Sequence, residues 1–291
     1  MTDFLQLFLS GLATGSIYAV AALGFTLLWQ ASGTINFAQG EFVMLPAFMM
    51  LGFISFGMPL WLGFLLTCAV AVFLLGWCFK RGIADPLLRF GMMPVIVATI
   101  GLGIAMRSAI RAGVSAEAQP FPSLFADKLF HFGGVTVTLA DVGTLAIALV
   151  LVLGTQAFLA RTVTGRAMQA VAQNTDSATV LGIDVPRMVF YTFAVNALLA
   201  CAAALLVTPT YLAKFDMGES LGMKAFFAAI IGGFTNSRGA LLGGLIVGVS
   251  ENLAAGYISA TYKDAVALVI FMLVILFKPE GLLGQKAERK V

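Results

Sequence analysis

Nine apolar runs follow one another along this chain with little between them: about 4–29, 35–57, 59–79, 92–110, 140–160, 187–209, 223–235, 240–258 and 262–278. A helix needs roughly 20 apolar residues to cross the hydrocarbon of a bilayer, and most of the runs reach that length. A water-soluble fold fails on charge. Of 291 residues, 60% are hydrophobic and 11% charged, against about 25% charged in soluble domains, too few to cover a core. In lipid that surface needs no cover, but every backbone N–H and C=O must be paired internally. Helices achieve this within one segment, whereas barrel strands alternate over about ten residues and do not match these runs. The predicted fold is all-α: a polytopic transmembrane bundle of eight or nine spans, with residues 1–291 forming a single transmembrane domain. The run 223–235 is too short to cross straight, and Pro46 and several glycines interrupt 35–57. Each is expected as a half-helix or re-entrant segment.

Lys and Arg set the orientation. With the connection 161–187 on the cytoplasmic side, the inner set is Lys80, Arg81, Arg89, Arg161, Arg166, Arg187, Arg238, Lys278, Lys286, Arg289 and Lys290. The outer set is Arg107, Arg111, Lys128, Lys214, Lys224 and Lys263, an excess of eleven over six. The C-terminal tail is then inside and, with nine crossings, the N-terminus outside. The N-terminus, MTDFLQLFLSG, has no basic leader region and runs straight into the first span, so no cleaved signal is expected. In the external connection 111–139, the pair Gly133–Gly134 followed by alternating Val and Thr predicts a small hairpin. Cys68, Cys78 and Cys201 sit in apolar runs and read as small buried hydrophobes, and the single His131 has no companion for a metal site.

The connection 161–187 is the one polar interruption of any size. Thr164 to Gln173 favour helix, Asn174 or Thr175 can cap a second short helix, and Gly182 can end it. Asp184 is a suitable cap for the next span, with Pro186 in its first turn. Val171, Thr175, Ala178 and Gly182 recur at helical spacing, predicting a narrow face of small groups on a rigid stub. A helix lying on lipid needs large apolar residues with Lys or Arg opposite; this segment has neither. It reads as an element that docks on another protein.

Polar groups inside spans are costly, roughly 2.5–3.5 kcal/mol for a carboxylate at the centre, and mark interior or wet positions. Asn36, Gln39 and Glu41 cluster at a break bracketed by Gly33 and Gly40. Glu41 is expected either beside a translocation path or near the cytoplasmic interface, pairing within the chain. Glu251, Asn252 and Asn196 are candidates for the same path or for bonds between helices. Gly239, Gly243 and Gly248 give small-xxx-small spacing for close packing. Trp29, Trp61 and Trp77 read as interfacial anchors, and Arg107 and Arg111 as snorkelling side chains or contacts for an acidic external protein.

Three blocks share a resemblance. GRAMQAVAQNTDSATVLGIDVPRM resembles the cytoplasmic loop of permease subunits in branched-chain amino acid ABC importers. GLATGSIYAVAALGFTLLWQASGTINFAQGEFVML resembles that family's N-terminal span and following turn, with Gln39 where the family more often has His. IIGGFTNSRGALLGGLIVGVSENL and FKPEGLLG resemble its C-terminal pair of spans and exit. The resemblance covers essentially the whole chain, which looks like the shorter of two permeases. It implies a non-enzymatic, multi-pass subunit of a bacterial inner membrane, surrounded by lipid. Its partners would be ABC ATPase subunits holding ATP and Mg, a second homologous permease, and a periplasmic or lipid-anchored substrate-binding protein, with no nucleic acid and no cofactor of its own. It also implies an ATPase-coupling role for Asn174, Thr175, Asp176, Ala178, Leu181 and Gly182. The chain has no G-x-x-x-x-G-K-[ST] phosphate loop. The rival reading is an ATP-independent transporter or channel using Glu41 and Glu251 as ion-coupling carboxylates.

Overall fold

The computed structural model describes residues 2–284 except 127, 133, 134 and 235. Twelve helices and one hairpin are seen among them: α1 (Thr2–Ser32), α2 (Gln39–Ser55), α3 (Leu60–Ala71), α4 (Asp85–Leu88), α5 (Met92–Gly113), β1 (Leu129–Phe132), β2 (Val135–Thr138), α6 (Leu139–Arg161), α7 (Val163–Gln173), α8 (Thr175–Val180), α9 (Val185–Tyr211), α10 (Met217–Gly232), α11 (Ser237–Tyr257) and α12 (Lys263–Phe277). Among the described residues, six helical stretches are long and apolar enough to cross a membrane: Thr2–Ser32, Leu60–Leu88, Met92–Gly113, Leu139–Arg161, Val185–Tyr211 and Ser237–Tyr257. The all-α, polytopic reading therefore stands; α2, α10 and α12 are shorter.

The long third stretch departs from expectation. Its apolar run ends near residue 79, yet the helix continues to Leu88 by passing through π-wound turns at Val72–Cys78 and Lys80–Ala84. A π turn inserts an extra residue and rotates the following face, which here buries Lys80 against Asp85, 2.7 Å away.

The chain divides into two compact units, Met1–Thr26 with Leu124–Leu153 and Lys224–Val291, and Leu27–Ser123 with Gly154–Met223. In the first, α1 and α11 meet backbone to backbone. A Cβ on Gly11 would stand 2.7 Å from the Val249 Cα, and one on Gly244 would stand 2.6 Å from the Ala19 Cα. Gly239 and Gly243 serve the same purpose toward α10. The predicted small-residue spacing thus packs helices, which in lipid is a chief source of association. The hairpin also belongs here, with Leu129 opposite Thr138 and Phe132 opposite Val135. Its predicted turn, Gly133–Gly134, lies outside the described residues, as do Lys286, Arg289, Lys290 and the side chain of His131.

In the second unit, α9 packs on α2, α3 and the π-wound stretch. Its face toward them is small (Ala197, Ala200, Cys201, Ala203, Ala204) and fully buried. Phe42, Phe79 and Phe193 pack in series, the first pair edge to face and the second tilted, with ring centroids 5.0 and 5.8 Å apart. Met44 and Phe48 of α2 close the other end against Ile110 and Ala213.

Candidate functional site

The polar connection folds as two capped helices. Thr162 Oγ1 accepts from Gly165 N (2.9 Å) to start α7, and Asn174 Oδ1 accepts from Ser177 N (2.8 Å) to start α8. Of the two candidate caps, the structure selects Asn174. Gly182 ends α8 at φ +79°, where Gly182 N donates to Thr179 O and Ile183 N to Ala178 O, the paired closure of a Schellman end. Asp184 Oδ1 then accepts from Arg187 N and opens α9 with Pro186 in its first turn. Each bond lies within a few residues along the chain.

The face this stub presents is not the predicted one. Ala178 is 1% exposed and Val171 is buried with it, turned against the rest of the unit. Val180 (88% exposed) and Leu181 (76%) project outward, with Asn174, Thr175, Asp176 and Gly182 exposed around them. The small residues seat the stub, and an apolar tip ringed by polar groups faces outward. Of the candidate docking residues, Ala178 is thus the one that offers no surface.

The second candidate region is the break between α1 and α2. Residues 33–38 are unwound, and Gly33 has φ +64°. Phe37 N donates to Thr99 Oγ1 (3.1 Å), about a third of the way along α5. The amides of Gln39 and Asn196 are bonded reciprocally, at 2.7 and 3.1 Å, and Asn196 lies near the middle of α9. These contacts fix the start of α2 part-way along the spans, so α2 begins as a half-helix within the unit. Asn36 braces the turn before it, its Oδ1 accepting from the N–H of Ala38, the N-cap residue of α2 (3.0 Å).

Glu41, in the first turn of α2 and 3% exposed, bonds to Arg107 Nη2 at 3.0 Å; Arg107 Nη1 binds Glu219 at the start of α10. Gly103 gives Glu41 room, since a Cβ there would lie 3.2 Å from its Oε2. Glu41 therefore pairs within the chain. Arg107 neither snorkels nor waits for a partner protein: a guanidinium spanning two carboxylates satisfies charge where water is scarce. Arg111 instead lies over the Phe215 ring, 5.3 Å from its centroid.

Glu251 occupies a third cluster, in the other unit. Its Oε1 accepts from Lys224 Nζ (2.6 Å) and faces Lys263 Nζ (3.3 Å), while its Oε2 accepts from the Tyr18 hydroxyl (2.8 Å). Lys224 also reaches Asp264 at 3.0 Å. This is the interhelical alternative for Glu251. Asn252 bonds its own helix, Nδ2 to Gly248 O at 2.9 Å. Tyr18, Lys224, Asp264 and Glu219 escaped the sequence reading. Lys224, a single cation at the head of an apolar run too short to span, was the available signal.

Comparison with known proteins places these features in context. Residues 7–275 match the family described as "Branched-chain amino acid transport system / permease component". The chain is 31% identical to the high-affinity branched-chain amino acid transport system permease protein BraD of Pseudomonas aeruginosa, covering 99% of this chain and 98% of that one. It is equally similar, 31% with the same coverage, to the permease protein LivH of Escherichia coli K12. Against the probable LivH of Methanocaldococcus jannaschii, identity is 26% over 92% of this chain and 89% of the other. No solved structure matches.

Proposed function

Because the chain belongs to the family of permease components of branched-chain amino acid transport systems, it is the membrane subunit of an ABC importer, and we propose that it forms part of the inner-membrane path for branched-chain or related hydrophobic amino acids. ATP hydrolysis falls to separate ATPase subunits, which bind ATP and Mg. We read both units as one permease domain crossing a bacterial inner membrane eight or nine times, with α2, α10 and α12 supplying the crossings beyond the six long stretches. Its partners are a second homologous permease, an external substrate-binding protein and the lipid around it.

The single observation behind the coupling assignment is the stub of α7 and α8, capped at every end and carrying Val180 and Leu181 outward. A segment that buries its small face and exposes its large apolar residues in a polar rim is built to fill a recess on a partner. We assign it, within the loop 161–187, to the ATPase, with Asn174, Thr175, Asp176, Leu181 and Gly182 at the contact and Ala178 seating the stub from beneath. Asn36, Gln39, Glu41 and Asn196 are assigned to the neighbourhood of the path; Glu251 holds helices together, and Asn252 bonds within α11. The rival reading loses support from Glu41 and Glu251, since each already has a cation within 3.0 Å and neither is a lone carboxylate waiting for an ion.

The test is uptake of leucine in vesicles carrying the permease pair, the ATPases and the loaded binding protein. Asp176→Trp and Gly182→Trp are expected to abolish ATP-driven uptake and co-purification of the ATPase while leaving membrane insertion unchanged. Normal uptake by both variants would remove the coupling assignment. Gradient-driven flux through the permease alone would instead revive the rival.

A further inference from the structure

Among the described residues, Asn36 holds a buried side-chain amide donor at the α2 break that finds no acceptor, as does the Nε of Arg107 beside Glu41. The Asn36 side chain is 4% exposed, and Nδ2 has no hydrogen-bond partner among the described residues. The other half of the same amide, Oδ1, accepts from the N–H of Ala38, the N-cap residue of α2, so the open N–H2 group belongs to the turn that leads into that helix. An unmet buried amide donor costs about 1–3 kcal/mol, and a chain retains one where something else completes it.

The surroundings specify what completes it. The N-terminus of a 17-residue helix carries a partial positive charge. The first-turn carboxylate that would ordinarily neutralise it, Glu41, is drawn aside onto Arg107 and over Gly103. Gln39 already exchanges hydrogen bonds with Asn196, as donor and as acceptor. The remaining chemistry at the break is therefore donor-rich and calls for an anionic acceptor. The position is part-way along the spans, and Phe37, 42% exposed, is the next residue in the chain. A half-helix start inside a membrane, pointing at an anionic group, is a general way for transporters to bind substrate.

We propose that the α2 break is a carboxylate-reading subsite, in which Asn36 Nδ2 and the N-terminal turn of α2 receive the α-carboxylate of the amino acid in transit. This rests on the transport reading above and adds which group of the substrate is recognised, and by what. No bond is made or broken: a proton-rich dipole meets an anion and releases it when the path reopens.

Two substitutions keep a side-chain oxygen that can accept from Ala38 N and remove the amide N–H2. Asn36→Ser removes the amide N–H2, and Asn36→Asp replaces it with negative charge. Both are placed in the complete importer with saturating loaded binding protein, alongside the unaltered complex, whose transport checks the underlying reading independently. Asn36→Asp is expected to lower maximal uptake of leucine by about tenfold or more, and Asn36→Ser by several-fold. Half-saturation by the loaded binding protein should stay unchanged in both variants, and thermal stability in Asn36→Ser. An unpaired carboxylate is itself costly at a buried position in a span, so Asn36→Ser, which adds no charge, carries the discrimination: a merely architectural Asn36 predicts a Ser variant that transports as the original does. Uptake by either variant equal to the original would overturn the subsite. So would an equal loss of thermal stability in both variants, which would assign Asn36 to the architecture of the turn.

Discussion

At the scale of single residues, the Lys224 cluster shows how strongly a buried charge depends on its company. Lys224 and Glu251 are both buried, held at 2.6 Å, with Tyr18, Lys263 and Asp264 completing the shell. Without Lys224, the buried Glu251 keeps only the part-exposed Lys263, at 3.3 Å, and breaking such a pair costs up to about 3–5 kcal/mol, whereas removing both members can be nearly neutral. Lys224→Met is therefore expected to lower the melting temperature of the detergent-solubilised protein sharply, and Lys224→Met with Glu251→Gln to recover most of it. A double variant no more stable than the single would mean the pair is not the stabilising unit. Glycine at position 40 has an equally specific role. A Cβ there would run into the Gly218 carbonyl and stand 3.0 Å from the Gly222 Cα, while one on Gly52 would meet nothing within 4 Å. Gly40→Ala is expected to destabilise by at least about 1–3 kcal/mol, because backbone cannot yield as a side chain can. Gly52→Ala, in the same helix, should be neutral or stabilising by about 0.5–1 kcal/mol. Thermal melting of the two variants side by side separates close packing from a general dislike of substitution in α2.

At the scale of elements, what was legible in the sequence is what acts over a few residues. The caps at Asn174 and Asp184, the stop at Gly182 and the break around Asn36 involve partners two to five positions away, and all are present. Which way the stub faces was not legible. Val171 and Ala178 share a side by helical spacing, but whether that side meets partner or body depends on packing against the rest of the unit, and the spacing is silent about that. Arg107 is a similar case: its two carboxylates lie 66 and 112 positions away, and proximity of that kind comes from the arrangement of helices. The π-wound turns after Ala71 also left no local mark, so the apolar run appeared to end nine residues early. The local character of the Asn174 cap leads to a direct expectation. Asn174→Ala removes one acceptor at the start of a six-residue helix, worth about 1 kcal/mol, and so short a helix has little else to hold it. Amide exchange over 175–181 should accelerate by about fivefold while α9 stays protected; unchanged exchange would show that packing of Ala178, not the cap, holds α8.

At the scale of the whole molecule, orientation decides whether the proposed coupling is physically available, because ATP and its hydrolase are cytoplasmic. The positive-inside count rests on charges that sit in loops and near span ends, and pairing within the helices changes which ones to include. Arg107, Lys224 and Lys263 are tied to carboxylates within the bundle and Lys80 to Asp85. Setting these four aside leaves ten basic residues inside and three outside, a wider margin than the raw tally. Ser177, exposed on α8, should then face the cytoplasm, and Ala118, exposed in the connection after α5, the outside. In a chain whose Cys68, Cys78 and Cys201 are replaced by Ala, Ser177→Cys should react with a membrane-impermeant maleimide in inside-out vesicles and stay unmodified in right-side-out ones. Ala118→Cys should do the reverse. The replacements are mild, since all three cysteines are free thiols that are wholly or partly buried. Labelling of Ser177→Cys from the external medium would put the stub on the wrong side of the bilayer for any ATPase, and no rearrangement of α7 and α8 could bring it back.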